Sequence, residues 1–197
     1  MAVSLYDKAL LEKLRSWCGD TKLKILSVED TRELWKVIAD EQNDKPINLP
    51  LIALRRRGGY NINQIAKRPL SFDGLSLESN IPRTIQLNAI PIDIAYQVDV
   101  YTRYFEECDQ IVRNLIFNLV NSPTVSIIIP YRDTELKHSS KITLASEVSD
   151  NSNIPERLVY GQFTRFTLSL NIDDAYLFDA RLRDNIYIDA NVELAER

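Results

Sequence analysis

The sequence predicts an α+β fold: a mostly antiparallel sheet, one long amphipathic helix across a face, and two short N-terminal helices. Three observations lead there. In PIDIAYQVDVY (91–101), Ile92, Ile94, Tyr96, Val98 and Val100 alternate with Asp93, Ala95, Gln97, Asp99 and Tyr101, the period-2 pattern of a half-buried strand. From Thr102 to Leu119, Tyr104, Phe105, Cys108, Ile111, Val112, Leu115, Ile116 and Leu119 recur at helical spacing, with Glu106, Glu107, Asp109, Gln110, Arg113 and Asn114 opposite. Three further strand-like runs follow, at 122–131, 141–148 and 160–173. A strand, a long helix and then three strands bury their apolar sides if the helix lies across the sheet.

The remaining elements are read in chain order. Residues 4–18 form the first short helix: Ser4 and Asp7 have capping-box spacing, Leu5, Tyr6, Ala9, Leu10, Leu14 and Trp17 make the stripe, and Gly19 stops it. KLKILSV (22–28) is a short strand. Asp30 and Glu33 suggest a second cap, opening a helix through Leu34, Trp35, Val37 and Ile38 to about residue 41. Pro46 and Pro50 end helical character, and residues 49–55 suit a strand entered from a loop. Two glycines after three arginines, Arg55-Arg56-Arg57-Gly58-Gly59, mark a turn or loop tip. The 57–83 segment, with Pro69, Asp73-Gly74 and Pro82, reads as a hairpin or an extended loop, and loops of that length in small domains tend to be functional. RDTELKHSS and SDNSNIPE (149–156) read as polar loops between strands. The division expected is one domain over 1–173, with the extended loop at 57–83, and a C-terminal arm over 174–197.

Composition excludes several functions. The chain has 197 residues and a net charge of -4, without the basic excess of a nucleic-acid binder. No apolar run reaches the roughly 20 residues that a membrane helix needs. The start lacks the basic and apolar regions of a signal peptide, so assembly in the cytoplasm is expected. Cys18 and Cys108 fall at apolar helix positions and read as small buried hydrophobes. One histidine and two dispersed cysteines cannot build the usual structural zinc site, and no cofactor is expected.

No catalytic motif stands out. G-x-S-x-G, the P-loop and G-x-G-x-x-G are absent. His138 stands beside Ser139 and Ser140 in a polar stretch, without the orienting acid that a Ser–His arrangement uses. Asp93 and Asp99 share a strand face but lie six residues apart, roughly 20 Å at about 3.3 Å per residue. Paired catalytic carboxylates sit about 5 to 10 Å apart, so this face reads as a surface for solvent or another chain. The candidate interface is therefore Arg55, Arg56 and Arg57, a basic tip for phosphate or an acidic partner; Asp93, Gln97 and Asp99 on the strand face; Arg165 on the polar side of the 160–173 strand; and Leu177, Phe178, Ile186 and Ile188 in a tail too apolar to float in solvent.

The block IPIDIAYQVDVYTRYFEECDQIVRNLIFNLVNSPTVSIIIPY, with DNSNIPERLVYGQFTRFTLSLNIDDAYLFD behind it, resembles the neck and tail-completion proteins of tailed phages, tail terminators above all, in element order and texture over residues 5–180. The resemblance implies a non-enzymatic virion protein, assembled in the host cytoplasm as a hexameric ring of identical subunits. That ring would cap the tail tube protein, meet the head–tail connector and, in contractile tails, the sheath, with DNA only passing through its channel and no membrane contact. The alternatives are another tail or baseplate component and, from a different class, a hydrolase or nuclease. A site that gathers Asp93 or Asp99 with His138 would favour the enzyme.

Overall fold

The computed structural model describes residues 2–18, 23–34, 49–62, 70–76, 82–87, 89–131, 134–152 and 163–178. In chain order the elements are α1 (Ala2–Cys18), β1 (Lys24–Leu26), a 3-10 turn (Asp30–Glu33), β2 (Leu51–Ile62), β3 (Leu70–Ser76), β4 (Pro82–Leu87), β5 (Ala89–Thr102), α2 (Phe105–Asn121), β6 (Thr124–Tyr131), β7 (Thr134–Asp150) and β8 (Thr164–Phe178). The strands join in one sheet of order β1-β2-β5-β8-β7-β3-β4, with β6 paired to β7. Only β1–β2 is parallel among these pairs. Register shifts interrupt β2–β5, β5–β8 and β7–β8. Bulges of this kind bend a strand and raise its twist, and the sheet curls into a half-barrel.

Both helices pack on one face of the sheet. Tyr6, Leu10 and Leu14 of α1 and Cys108, Val112, Leu115 and Leu119 of α2 meet the even-numbered side of β5 and β8: Ile92, Ile94, Tyr96, Val98, Val100, Leu168, Leu170 and Ile172. Each fully buried aliphatic side chain there contributes about 1.5–3 kcal/mol. The i, i+4, i+8 spacing of Tyr6, Leu10 and Leu14 keeps all three on the sheet-facing side of α1. Glu106 and Glu107 occupy the first turn of α2, where its dipole favours negative charge. The helix closes as the Ser122 amide donates to the Asn118 carbonyl at 2.9 Å, just before Pro123. Two polar ties hold α1 in place: Asn118 Nδ2 donates to the Trp17 carbonyl (3.1 Å), and Lys13 Nζ donates to Ser122 Oγ (2.9 Å) and to the Thr124 carbonyl. On the opposite face, Leu26, Leu34, Leu51, Ala53, Tyr101 and Phe163 form a smaller core. Beside it on that face lie Gln97, Asp99, Arg165 and Thr167.

The expected balance of helix and sheet is corrected. The first helix is not short: α1 and α2 each span 17 residues. It starts at Ala2, so Ser4 lies inside it, and Asp7 is no cap but accepts from Tyr96 Oη (2.7 Å) and Arg56 Nη1 (3.3 Å). Of the second expected helix, the described part is a 3-10 turn, and residues 35–41 lie outside the described residues. Its reciprocal cap lies three residues earlier, between Ser27 and Asp30: Ser27 Oγ donates to Asp30 Oδ2 (2.7 Å), and the Asp30 amide donates to Ser27 Oγ (3.1 Å). The chain is mostly sheet because stretches read as loops are strands. Within 57–83, residues 57–62 complete β2, residues 70–76 are β3 and residues 82–83 open β4. Arg57-Gly58-Gly59 is a bulge inside β2, three residues opposite one on β5, rather than a chain-reversing tip. ELKHSS lies wholly within β7.

Candidate active site

The bulge between β5 and β8 organises the most reactive group of side chains. Ile92 pairs with Ala175 and Ile94 with Ile172, so Asp173 and Asp174 together stand opposite Asp93. Asp174 takes a left-handed backbone, φ 56, a conformation that aspartate tolerates better than most non-glycine residues. Its amide donates to Asp93 Oδ1 at 3.4 Å. Its carbonyl accepts from two side chains of β7: His138 Nε2 lies 3.1 Å away and Ser140 Oγ also 3.1 Å. His138 and Ser140 are two residues apart on a strand, so they project from the same face, and Nε2 lies 2.9 Å from Oγ.

The N-terminal turns of α1 cover this pair. The Tyr6 ring stands edge-on to His138 at 6.4 Å between centroids, and Tyr176 packs against the other side of the imidazole at 4.7 Å. The Tyr176 amide donates to Tyr6 Oη at 3.0 Å. Ser140 is buried and His138 half-buried. Burial pushes the imidazole below its ordinary value, with the Asp174 carbonyl pulling weakly the other way, so the ring is neutral at pH 7. Burial likewise raises Tyr6 and Tyr176, both of which stay protonated. The Ser140 hydroxyl has two acceptors in reach. With the imidazole proton on Nε2, ring and hydroxyl both donate to the Asp174 carbonyl. With it on Nδ1, Nε2 presents its lone pair to Ser140, which is the arrangement that activates a serine.

Sequence reasoning weighed His138 beside Ser139 and Ser140 and set it aside, because the stretch around them is polar and reads as a loop. The available signal was spacing: continuing the alternation of KITL backwards puts Ile142, Ser140 and His138 on one face. Asp93 is brought into the cluster through both ends of Asp174, with its amide on Asp93 and its carbonyl on His138. Asp99 is not.

Asp99 instead sits fully buried on the opposite face at the centre of an ionic cluster. Its Oδ1 accepts from Arg165 Nη2 (3.1 Å), Thr167 Oγ1 (2.7 Å) and Gln97 Nε2 (2.9 Å), and Arg55 Nε stands 3.6 Å from Oδ2. The Arg165 guanidinium also lies over the Tyr101 ring, 5.5 Å from its centroid. Arg56 points to the helix side and pairs with Asp7, whereas exposed Arg57 donates to Gln97 Oε1 at 3.2 Å. Leu177 is half-buried against the main core, and Phe178 is paired with Ala89 at the end of β8. Ile186 and Ile188 lie outside the described residues. Cys108 is buried and held protonated, its thiol pushed up to about 11 by burial. Among the described residues no group of three His, Cys, Asp or Glu side chains is placed to hold a metal ion, and no helix is long and apolar enough to cross a membrane.

No protein-family model matches the chain. It is 23% identical over 162 residues to a protein of Oceanobacillus iheyensis named protein-glutamate methylesterase/protein-glutamine glutaminase; the match takes in 79% of this chain and 45% of that protein. The chain thus spans less than half the length of the curated relative it matches. This similarity overturns the expectations of a tail-terminator or neck function, of a non-enzymatic protein and of a virion component, since the protein it resembles is named for two enzymatic activities. The physical reason for the misreading is the placement of the reactive residues: no contiguous motif announces a serine and a histidine set two apart on a strand.

Proposed function

We propose that the chain is a hydrolase of ester or amide groups, acting on the γ-carbonyl of glutamyl or glutaminyl side chains, with Ser140 as nucleophile and His138 as its base. The observation that carries this reading is the 2.9 Å contact between Ser140 Oγ and a desolvated imidazole. Similarity to a protein named as a glutamate methylesterase and glutamine glutaminase supplies the substrate class. In the first step the Ser140 oxygen bonds to the γ-carbonyl carbon as its proton moves to His138 Nε2. The imidazolium returns that proton to the leaving group, methanol from an ester or ammonia from an amide. Water, deprotonated by the same nitrogen, then bonds to the acyl carbon, and the proton passes from Nε2 to Ser140 Oγ as the acyl–serine bond breaks and the glutamyl carboxylate leaves. Tyr6, whose ring stands beside His138, is a hydroxyl donor near the nucleophile for the oxyanion that forms. Asp93 acts at one remove, fixing the backbone of Asp174 against which both groups rest.

Methanol release from a peptide carrying γ-methyl glutamate, and ammonia release from its glutamine counterpart, test the reading. Turnover of at least one substrate is expected, with kcat lowered about 10³-fold or more in Ser140→Ala. No release of either product, or equal turnover by Ser140→Ala, overturns it.

A further inference from the structure

The polar face of the sheet, opposite the helices, has a charge imbalance that the proposed chemistry does not use. Three guanidinium groups, Arg55, Arg57 and Arg165, gather around one carboxylate, Asp99. Arg165 and Asp99 are buried or nearly so and satisfy each other, with Thr167 and Gln97 completing the carboxylate's acceptor sites. Arg55 shares the same carboxylate at the longer distance of 3.6 Å and is 35% exposed. Its Nε is buried and has no hydrogen-bond acceptor among the described residues. Arg57 is exposed and reaches a neutral acceptor, the Gln97 side-chain oxygen. Around Asp99 itself, three guanidinium groups thus meet one carboxylate among the described residues, a local excess in a chain whose net charge is -4, with Asp93 further along the same face.

The backbone beside these arginines is irregular and open. Arg57, Gly58 and Gly59 stand opposite Ala95 alone, so their amides fall outside the β2–β5 register. Gly58 has φ 59, and a Cβ built on either glycine would meet nothing within 4 Å. The two glycines thus leave open space beside the arginine side chains.

We infer that the Arg55–Arg57 bulge and its flanking sheet face dock an acidic segment of a partner protein. Carboxylates match the paired donors of a guanidinium. The net negative charge of the whole chain disfavours a long polyanion such as nucleic acid, whose binding rests on many simultaneous phosphate contacts. A short run of glutamates meets only the local excess. This site is independent of the Ser140–His138 pair, which projects from the other face.

Fluorescence anisotropy with a labelled glutamate-rich peptide, a glutamine-matched control and a single-stranded oligonucleotide of equal length tests the inference on the full chain. The glutamate peptide is expected to bind, to weaken as salt rises, and to lose about tenfold in affinity with Arg57→Gln and more with Arg55→Gln/Arg57→Gln. Arg57 is exposed and outside the Asp99 ion pairs, so its variant is expected to keep the wild-type melting temperature. Absence of peptide binding at low salt, equal binding of the glutamine control, undiminished affinity in the double variant, or tighter binding of the oligonucleotide overturns the inference.

Discussion

The two faces of β5 solve the burial of polar side chains in different ways. On the helix side, His138 and Ser140 are neutral, share the Asp174 carbonyl, and are covered by Tyr6 of α1. On the other side Asp99 is charged and is neutralised by arginines, with Thr167 and Gln97 filling its lone pairs. Neutral groups tolerate desolvation and keep the proton mobility that chemistry needs. An ionised group tolerates it only when paired. The neutral Ser140–His138 pair is thus on the helix-covered face, and the ion-paired carboxylate on the other.

The largest effect that sharpens this contrast is on the ionic side. Asp99→Ala leaves Arg165 without its buried partner and is expected to cost about 3–5 kcal/mol, read as a lower urea midpoint at unchanged slope. A loss comparable to that of a surface pair, about 0–1 kcal/mol, would show that water already screens the cluster. Next comes Tyr96→Phe, which removes the 2.7 Å hydrogen bond to Asp7 and is expected to cost about 1.5–3 kcal/mol in a thermal melt. Asp93→Ala is expected to lower kcat about tenfold with KM little changed, because it loosens Asp174 and not the substrate. Asp93→Asn, which keeps an acceptor oxygen, should restore most of the rate, whereas a purely structural role would shift only the melting temperature.

The smallest effect is the pH dependence of the neutral side. Folding lowers the His138 value below its unfolded value of about 6.5. Below about pH 6.5 the unfolded chain therefore binds more protons, and stability falls as pH drops from there toward the folded value. Above that window the contribution is complete. The melting temperature is expected to decline on acidification through this range, with a shallower slope in His138→Gln. An unchanged slope in that variant would mean that His138 is not the titrating group.

The parts of the fold legible in the sequence were those where one physical signal dominates. In β5 every second residue from Ile92 to Val100 is apolar, and in α2 the stripe of Cys108, Val112, Leu115 and Leu119 faces the core as its spacing requires. The first half of β7 was illegible because its covered face carries His138 and Ser140, which break the hydrophobic alternation while still packing under Tyr6. The Ser4–Asp7 spacing misled for a related reason: Asp7 is held by a tertiary partner, Tyr96, that no local pattern shows. The environments of Asp93 and Asp99 depend on partners 81 and 66 residues away, Asp174 and Arg165. The serine and histidine of the candidate site needed one prior fact, that residues 138–142 are strand.

The most direct test of the Ser140–His138 chemistry is to trap the acyl-serine. Incubation with an aryl fluorophosphonate, followed by intact-mass and peptide-mass analysis, is expected to give one covalent adduct per chain on the peptide containing Ser140, absent in Ser140→Ala and strongly slowed in His138→Gln. No adduct on the native protein, or an adduct on another residue that persists in Ser140→Ala, would contradict it.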